Sequence, residues 1–367
     1  MKNTFGESVA VTLFGESHGK AIGAILDGMA PGIPVDEAFI AHQMDLRRSV
    51  SSLSTARKEA DKVIVLSGIK DGVTTGTPIA LMIENGDTHS RDYEALKYIA
   101  RPGHADYSAF CKYHGFSDTR GGGHFSGRIT AGLVAAGAIA ITALANIGIF
   151  IGTHIAKCAG IPDRTFNNYE EDIKNLSEMP FAVLDEKSAE QMKYAIETAK
   201  AEGDSVGGVL ETAVIGLPEG VGEPWFDTLE SVLAHGLFSI PAVKGVEFGK
   251  GFALADMRGS EANDRYRVVN NKIITETNHN GGILGGISNG MPIVFRTAIK
   301  PTPSIYQPQD TVNFMKNENT ELTIQGRHDP AIVHRARVVA DSMTALILCD
   351  MLALRFGTDF LRNGDSK

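Results

Sequence analysis

The sequence predicts an α+β fold. Its strand-like and helix-like runs do not alternate in the regular order that a doubly wound parallel sheet requires. Both kinds of run are present, with turn-rich segments between them. At 43% apolar and 22% charged over 367 residues, the composition is that of a globular chain, which excludes bulk disorder. In chain order, residues 9–13, 62–69 and 78–84 read as strands, the last two joined by the turn-rich KDGVTTGT. Residues 35–48 read as a helix with Arg47 and Arg48 in its last turn. A long buried helix follows Gly127. Ser188 and Gln191 have capping-box spacing for a helix that ends near Gly203. Residues 208–217, 246–257, 266–275 and 291–299 read as β segments. A C-terminal helix over 334–356 carries Val338, Met343, Leu346, Cys349 and Leu352 at helical spacing.

Residues 129–156 hold no formal charge, long enough to span a bilayer. The run is mostly Ala, Gly and Thr, contains Asn146 and His154, and lacks an aromatic belt, so it reads as a core helix. GTPIALMIEN (76–85) resembles GMPIVFRTAI (290–299), a weak sign of internal duplication. Trp225 is expected in the core.

Thirty-five Lys and Arg against 44 Asp and Glu give a net charge of −9, which argues against nucleic acid as the main partner. Cys111, Cys158 and Cys349 form no CxxC pair and read as reduced thiols of a cytoplasmic protein. MKNTFGESVA lacks the apolar core of a secretion signal.

Five of the eleven histidines lie in glycine-rich, charge-bearing loops: His18, His104, His124, His279 and His328. Histidine suits proton transfer near neutral pH. His114 and His334 read as structural. Arg101, Arg120, Arg128 and Arg327 share those loops, and Arg47 ends the first helix. Local arginine in an acidic chain points to a cleft for a small anion, because guanidinium forks suit carboxylate and phosphate. Backbone amides of Gly121–Gly123 and of GGILGG (281–286) add donors to phosphate. GESHGKA fails the P-loop spacing, and GGILGG lacks the strand, helix and acidic partner of a dinucleotide fingerprint. A metal hydrolase is the main competitor, with His104, Asp106, His328 and Asp329 as plausible ligands. HExxH and zinc-spaced clusters are missing from the sequence. The residues lead to an enzyme acting on a small polyanion through His and Asp; they do not name the reaction.

Six motifs then occur in order: LFGESHG (13–19), RPGHADY (101–107), SIPAVKGVEFGKGF (239–252), GGILGGISNG (281–290), KPTPSI (300–305) and GRHDP (326–330). Together they resemble the chorismate synthase family over nearly the whole chain. The resemblance implies one catalytic domain, 1–367, with a helical layer between two antiparallel sheets, assembled as a homotetramer. It implies a 1,4-anti-elimination of phosphate from 5-enolpyruvylshikimate 3-phosphate, giving chorismate with reduced FMN and no net redox change. NADPH enters only through flavin reduction, for which a separate reductase is expected, since the chain shows no nucleotide fingerprint of its own. His18 resembles the family's first catalytic histidine. His104 resembles the histidine that protonates the flavin near N1, and Asp329 the carboxylate that relays a proton through N5. Arg47, Arg128 and Arg327 match substrate contacts, with Arg47 also matching a nicotinamide-phosphate contact and Arg327 a flavin contact. His124, Phe125, Ser126, Pro241, Ala242, Gly285, Lys300, Pro301, Thr302, Pro303 and Ser304 match flavin-binding positions. The family's GGGRSSARET reads GGGHFSGRIT here, which puts a titratable His124 where a permanent cation is usual. Its RRRPG stretch is likewise altered, to DLRRSV. A metal-dependent phosphatase and a non-catalytic flavin-binding relative are the alternatives.

Overall fold

Alternating buried and exposed side chains build the first sheet. In the computed structural model, which describes residues 2–48, 61–86, 97–324 and 328–364, it holds β1 (Thr4–Phe5), β2 (Ala10–Gly15), β3 (Ala21–Asp27) and β4 (Ile64–Ser67). After the small hairpin of β5 (Ile69–Lys70) and β6 (Val73–Thr74), β7 (Ile79–Glu84) completes it. The order is β1-β2-β3-β7-β4, with every neighbour antiparallel. Helix α1 (Glu37–Arg47) begins where Asp36 accepts hydrogen bonds from the Ala38 and Phe39 amides.

Helix α2 (Asp106–Tyr113) precedes α3 (Thr130–Asn146), and β8 (Phe150–Cys158) follows it. The charge-free run is therefore a helix and then a strand, both in the protein core. Its apolar helix is long enough to cross a membrane but is mostly buried inside the molecule. His154 is satisfied there by Asp163, at 2.8 Å, and Glu211, at 3.2 Å.

The second sheet adds β9 (Ile161–Pro162), β10 (Gly208–Ile215), β11 (Val243–Phe248) and, later, the strand over 293–299. Between them lie α4 (Tyr169–Leu176), α5 (Glu186–Ala201), α6 (Leu229–Ser239) and α7 (Gly259–Ala262). Two hairpins come next: β12 (Tyr266–Val269) with β13 (Lys272–Thr275), and β14 (Ile283–Leu284) with β15 (Ile287–Ser288). Then β16 (Ile293–Ile299) enters the sheet, whose order is β11-β16-β10-β8-β9, again antiparallel. The chain ends with the hairpin β17 (Gln309–Asn313) and β18 (Glu318–Leu322), the long α8 (Val333–Phe356) and α9 (Phe360–Asn363).

Helices α3 and α8 lie between the sheets, α3 against β3 and α8 against β8, with α1 and α6 beside them. This is the helical layer between two antiparallel sheets that the resemblance implies. The similar segments at 76–85 and 290–299 hold β7 and β16, and each strand stands second from the edge of its own sheet. A Cβ on Gly137 would lie 2.2 Å from the Ser342 Cβ, so glycine is what lets α3 and α8 cross so closely. Asp350 on α8 accepts hydrogen bonds from the Glu7, Ser8 and Val9 amides at 3.0, 2.7 and 2.8 Å, which fixes the N-terminal segment to the last long helix.

Four sequence expectations need correction. Helix α5 is capped by Asp185, whose carboxylate accepts from the Ser188 amide, so Ser188 lies inside the helix. Residues 246–257 are not one strand, because β11 stops at Phe248 and a 3-10 turn spans Gly251–Asp256. Residues 266–275 form a hairpin, turning at Asn270 and Asn271, both in the left-handed region that asparagine tolerates. Trp225 is 84% exposed, in a short turn before α6.

His334, in the first turn of α8, is fully buried, and burial with the nearby Arg335 charge pushes its pKa down to about 4. The folded state holds the imidazole neutral while the unfolded chain protonates it near its ordinary 6.5. Stability from this group is then present above about pH 6.5 and lost as pH falls towards 4, on the order of 3 kcal/mol in all. Urea unfolding of the wild type between pH 7 and 4.5 should show that loss. His334→Gln should flatten the slope, and an unchanged slope would refute the assignment.

Candidate active site

The cleft lies where α3 and α8 begin. Arg47, in the last turn of α1, donates to the hydroxyl of Thr130, the first residue of α3, at 3.3 Å. Arg335, in the first turn of α8, donates through Nε to the Arg47 carbonyl at 2.9 Å. Two helix N-termini thus converge on one arginine, and their dipoles favour an anion.

Charge is concentrated there. Asp61 accepts from Arg47 at 2.9 Å and from Arg128. Burial lowers the Arg47 pKa to about 10, with the Arg335 charge adding to the effect, so Arg47 stays cationic at neutral pH. Burial opposes ionisation of Asp61, yet the two guanidiniums hold it below the usual carboxylate range. Arg128 also donates to Asn85 Oδ1 at 3.1 Å. Arg335 pairs with Asp329, so one polar chain joins Asp329, Arg335, Arg47, Asp61 and Arg128.

Gly121, Gly122 and Gly123 all take positive φ, of 60°, 86° and 55°. The loop needs glycine for that backbone and for space. A Cβ on Gly121 would lie 2.5 Å from His18 Nε2, and one on Gly122 would lie 3.4 Å from His104 Nε2. The loop is thereby wedged between the two imidazoles. It is tied down by the Ser17 amide, which donates to the Gly123 carbonyl at 3.1 Å, and by His124 Nδ1, which donates to the Gly15 carbonyl at 2.8 Å. Ser126 Oγ accepts from the Arg128 amide and starts the turn into α3. Phe125 is partly exposed, edge-on to Tyr113.

The other loops meet this one. Lys300 Nζ donates to the Gly103 carbonyl, and Pro303 packs on Gly103. The Lys300 amide donates to the carbonyl of Ala242 at 2.9 Å, beside the exposed Pro241. Ala242 has φ 74°, a backbone conformation uncommon for a residue with a side chain. Pro301 rests against Gly207, and the Thr302 carbonyl accepts from Ser205 Oγ at 2.7 Å. Ser304, Asp329, His328, Tyr306 and Lys200 line one crevice. His328 is shifted below its ordinary pKa by burial and then by the Arg101 charge, which places this segment beside the RPGHAD loop.

Most of the residues singled out from sequence are therefore brought together. Gly285 lies at the turn of the β14–β15 hairpin, ahead of β16. The His279 amide is held by Asp264 at 2.8 Å. Arg327 lies outside the described residues. Asp106, weighed as a metal ligand, is instead engaged by Arg101 and His104. Asp61 and Arg335 were missed, because neither sits in a glycine-rich or histidine-bearing motif. Their one signal is the count of arginines that a buried anion pocket has to balance.

The cleft fits a flavin on two observations: a glycine cradle whose added Cβ atoms would strike His18 and crowd His104, and Thr302 Oγ1, buried beside that cradle's neighbouring loop with no hydrogen-bond partner among the described residues.

The fold is α+β, and its cleft gathers arginines, imidazoles and a carboxylate around a glycine loop, the make-up of an enzyme site. The sequence model of the chorismate synthase family matches residues 9–353, and the chain belongs to that family. It is 48% identical over 350 residues to chorismate synthase of Pyrococcus abyssi, an alignment covering 95% of this chain and 97% of that one. It is 47% identical over 356 residues to the Methanosarcina acetivorans enzyme, with 97% of each covered. A crystal structure of chorismate synthase superposes with a TM-score of 0.77 at 30% identity, covering 98% of this chain and 96% of the other. The chain is thus a carbon–oxygen lyase of the shikimate pathway, which serves aromatic amino acid biosynthesis. Reduced-flavin dependence is general in the family.

Proposed function

We propose that this lyase carries out its elimination in the cleft between the glycine loop and the N-termini of α3 and α8, with FMN as its flavin. The substrate, 5-enolpyruvylshikimate 3-phosphate, loses a C–O bond as phosphate departs with the electron pair, and a C6 proton leaves to complete the new double bond. The observation that carries this reading is the wedge of Gly121–Gly123 between His18 and His104, beside paired arginines. When bound, the reduced flavin supplies electron density as phosphate leaves and recovers it as the proton departs. The chain's own groups do the rest. Arg47 and Arg128 hold the substrate's anionic groups, and Arg327 is proposed to join them. His18 and His104 hold protons at their ring nitrogens, and Asp329 takes one on the carboxylate that Arg335 steadies. His124, Phe125, Ser126, Pro241, Ala242, Gly285 and Lys300–Ser304 would hold the flavin. We further propose one domain, a homotetramer, a cytoplasmic location and a separate reductase using NADPH.

The test is anaerobic. Purified protein is mixed with 5-enolpyruvylshikimate 3-phosphate and dithionite-reduced FMN, and chorismate and phosphate are followed together. Equal yields that vanish with oxidised FMN are expected. Phosphate without chorismate would indicate a hydrolase, and neither product would indicate a non-catalytic relative.

A further inference from the structure

We infer that Asp106 is a positioning residue that fixes the tautomer of His104, keeping the proton on Nδ1 and leaving Nε2 as the nitrogen that exchanges protons in the cleft. The inference rests on the reading of His104 given above and deepens it.

His104 Nδ1 lies 2.8 Å from Asp106 Oδ1. Asp106 also accepts from the Arg101 amide at 3.0 Å, from Arg101 Nε at 2.8 Å and from Arg101 NH2 at 2.7 Å. Burial alone would favour the neutral acid. The Arg101 hydrogen bonds, followed by that from His104, outweigh it and hold Asp106 far below the usual carboxylate range. The carboxylate is then an acceptor throughout the working pH range, and an imidazole nitrogen facing it has to donate. Arg101 NH2 also approaches His104 Nδ1, at 3.1 Å. A guanidinium has no acceptor, so Oδ1 is the one atom that satisfies both donors at once. The hydrogen bond made by one ring nitrogen decides the state of the other. Nε2 is the nitrogen that faces Gly122 and the cleft.

The charged and titratable groups around His104 come from four elements. Arg101 and Asp106 belong to its own loop. Lys300 reaches Gly103 from the loop after β16, His328 approaches Arg101 from the segment before α8, and His18 lies across the glycine loop.

The experiment compares wild type with Asp106→Asn, each labelled with 15N-histidine, with His104→Gln assigning the signal. In wild type the neutral ring should carry its proton on Nδ1, and Nε2 should be the nitrogen that gains or loses a proton as pH is varied. In Asp106→Asn the side-chain oxygen is retained by Arg101 and the amide NH2 faces the ring, so the tautomer should reverse. Turnover should fall about 10²- to 10⁴-fold with little change in KM. A wild-type Nε2–H tautomer overturns the inference, and needs no variant to fold. Lost turnover with an unchanged tautomer also overturns it, because that is the mark of a merely structural role. If His104→Gln keeps wild-type turnover, the catalytic reading of His104 fails, while the tautomer comparison still decides the role of Asp106.

Discussion

Asp329→Asn should lower kcat by about 10²- to 10⁴-fold, the range for removing a positioned proton-transfer group. Asparagine keeps the size of the side chain and an oxygen for Arg335 to donate to, so the polar chain from Arg335 to Arg47 should survive. What it cannot do is take a proton. KM should therefore move little, and the thermal unfolding curve should stay near that of wild type. Anaerobic single-turnover traces of chorismate formation check this directly. Turnover close to wild type would remove Asp329 from the proton path. A large rise in KM at constant kcat would assign it to substrate binding instead.

Asp61→Ala should cost stability on the order of 3–5 kcal/mol, because it removes the carboxylate that two buried cations, Arg47 and Arg128, share. Burial already lowers the Arg47 pKa to about 10 with Asp61 in place, and the substitution removes the group that raises it. The same pair sets a pH dependence of definite sign. Asp61 titrates below its unfolded value, so its contribution is present above the ordinary carboxylate pKa and lost as pH falls through its depressed one. Urea unfolding at pH 7 measures the main effect. A change below 1 kcal/mol would mean that the arginines find another partner when Asp61 is gone. Substrate affinity should also fall, as the two guanidiniums lose the group that aims them.

The sequence makes some of this plain and hides the rest for physical reasons. The helix at Glu37–Arg47 is legible because Asp36 caps its start and Arg47 ends it, and Val333–Phe356 from its apolar spacing alone, since Ile332 offers no side-chain cap. The break after Asn146 is not, because a buried helix running into a largely buried strand shows little change in polarity, and no charge falls between Ile129 and Ala156. The α5 cap is displaced by three residues because Asp185 and Ser188 are both good cap residues, and only packing selects between them. In the site, the histidines are legible because glycine and charge surround them. Asp61 is hidden because it acts through distant sequence, 14 residues from Arg47 and 67 from Arg128. Arg335 looks like one more cation on a helix until α1 is packed against it.

The grip of Asp350 on the amides of residues 7–9 bears on how this chain is made. A ribosome releases β1 and β2 long before α8, and those amides meet their acceptor only across 341–343 residues. The inner face of the first sheet likewise waits for a helical layer that lacks α8 until those residues have followed. The nascent N-terminal half thus leaves the tunnel with apolar strands that have no finished core to join. Its final folding waits for α8, and until then those strands lie open to wrong partners.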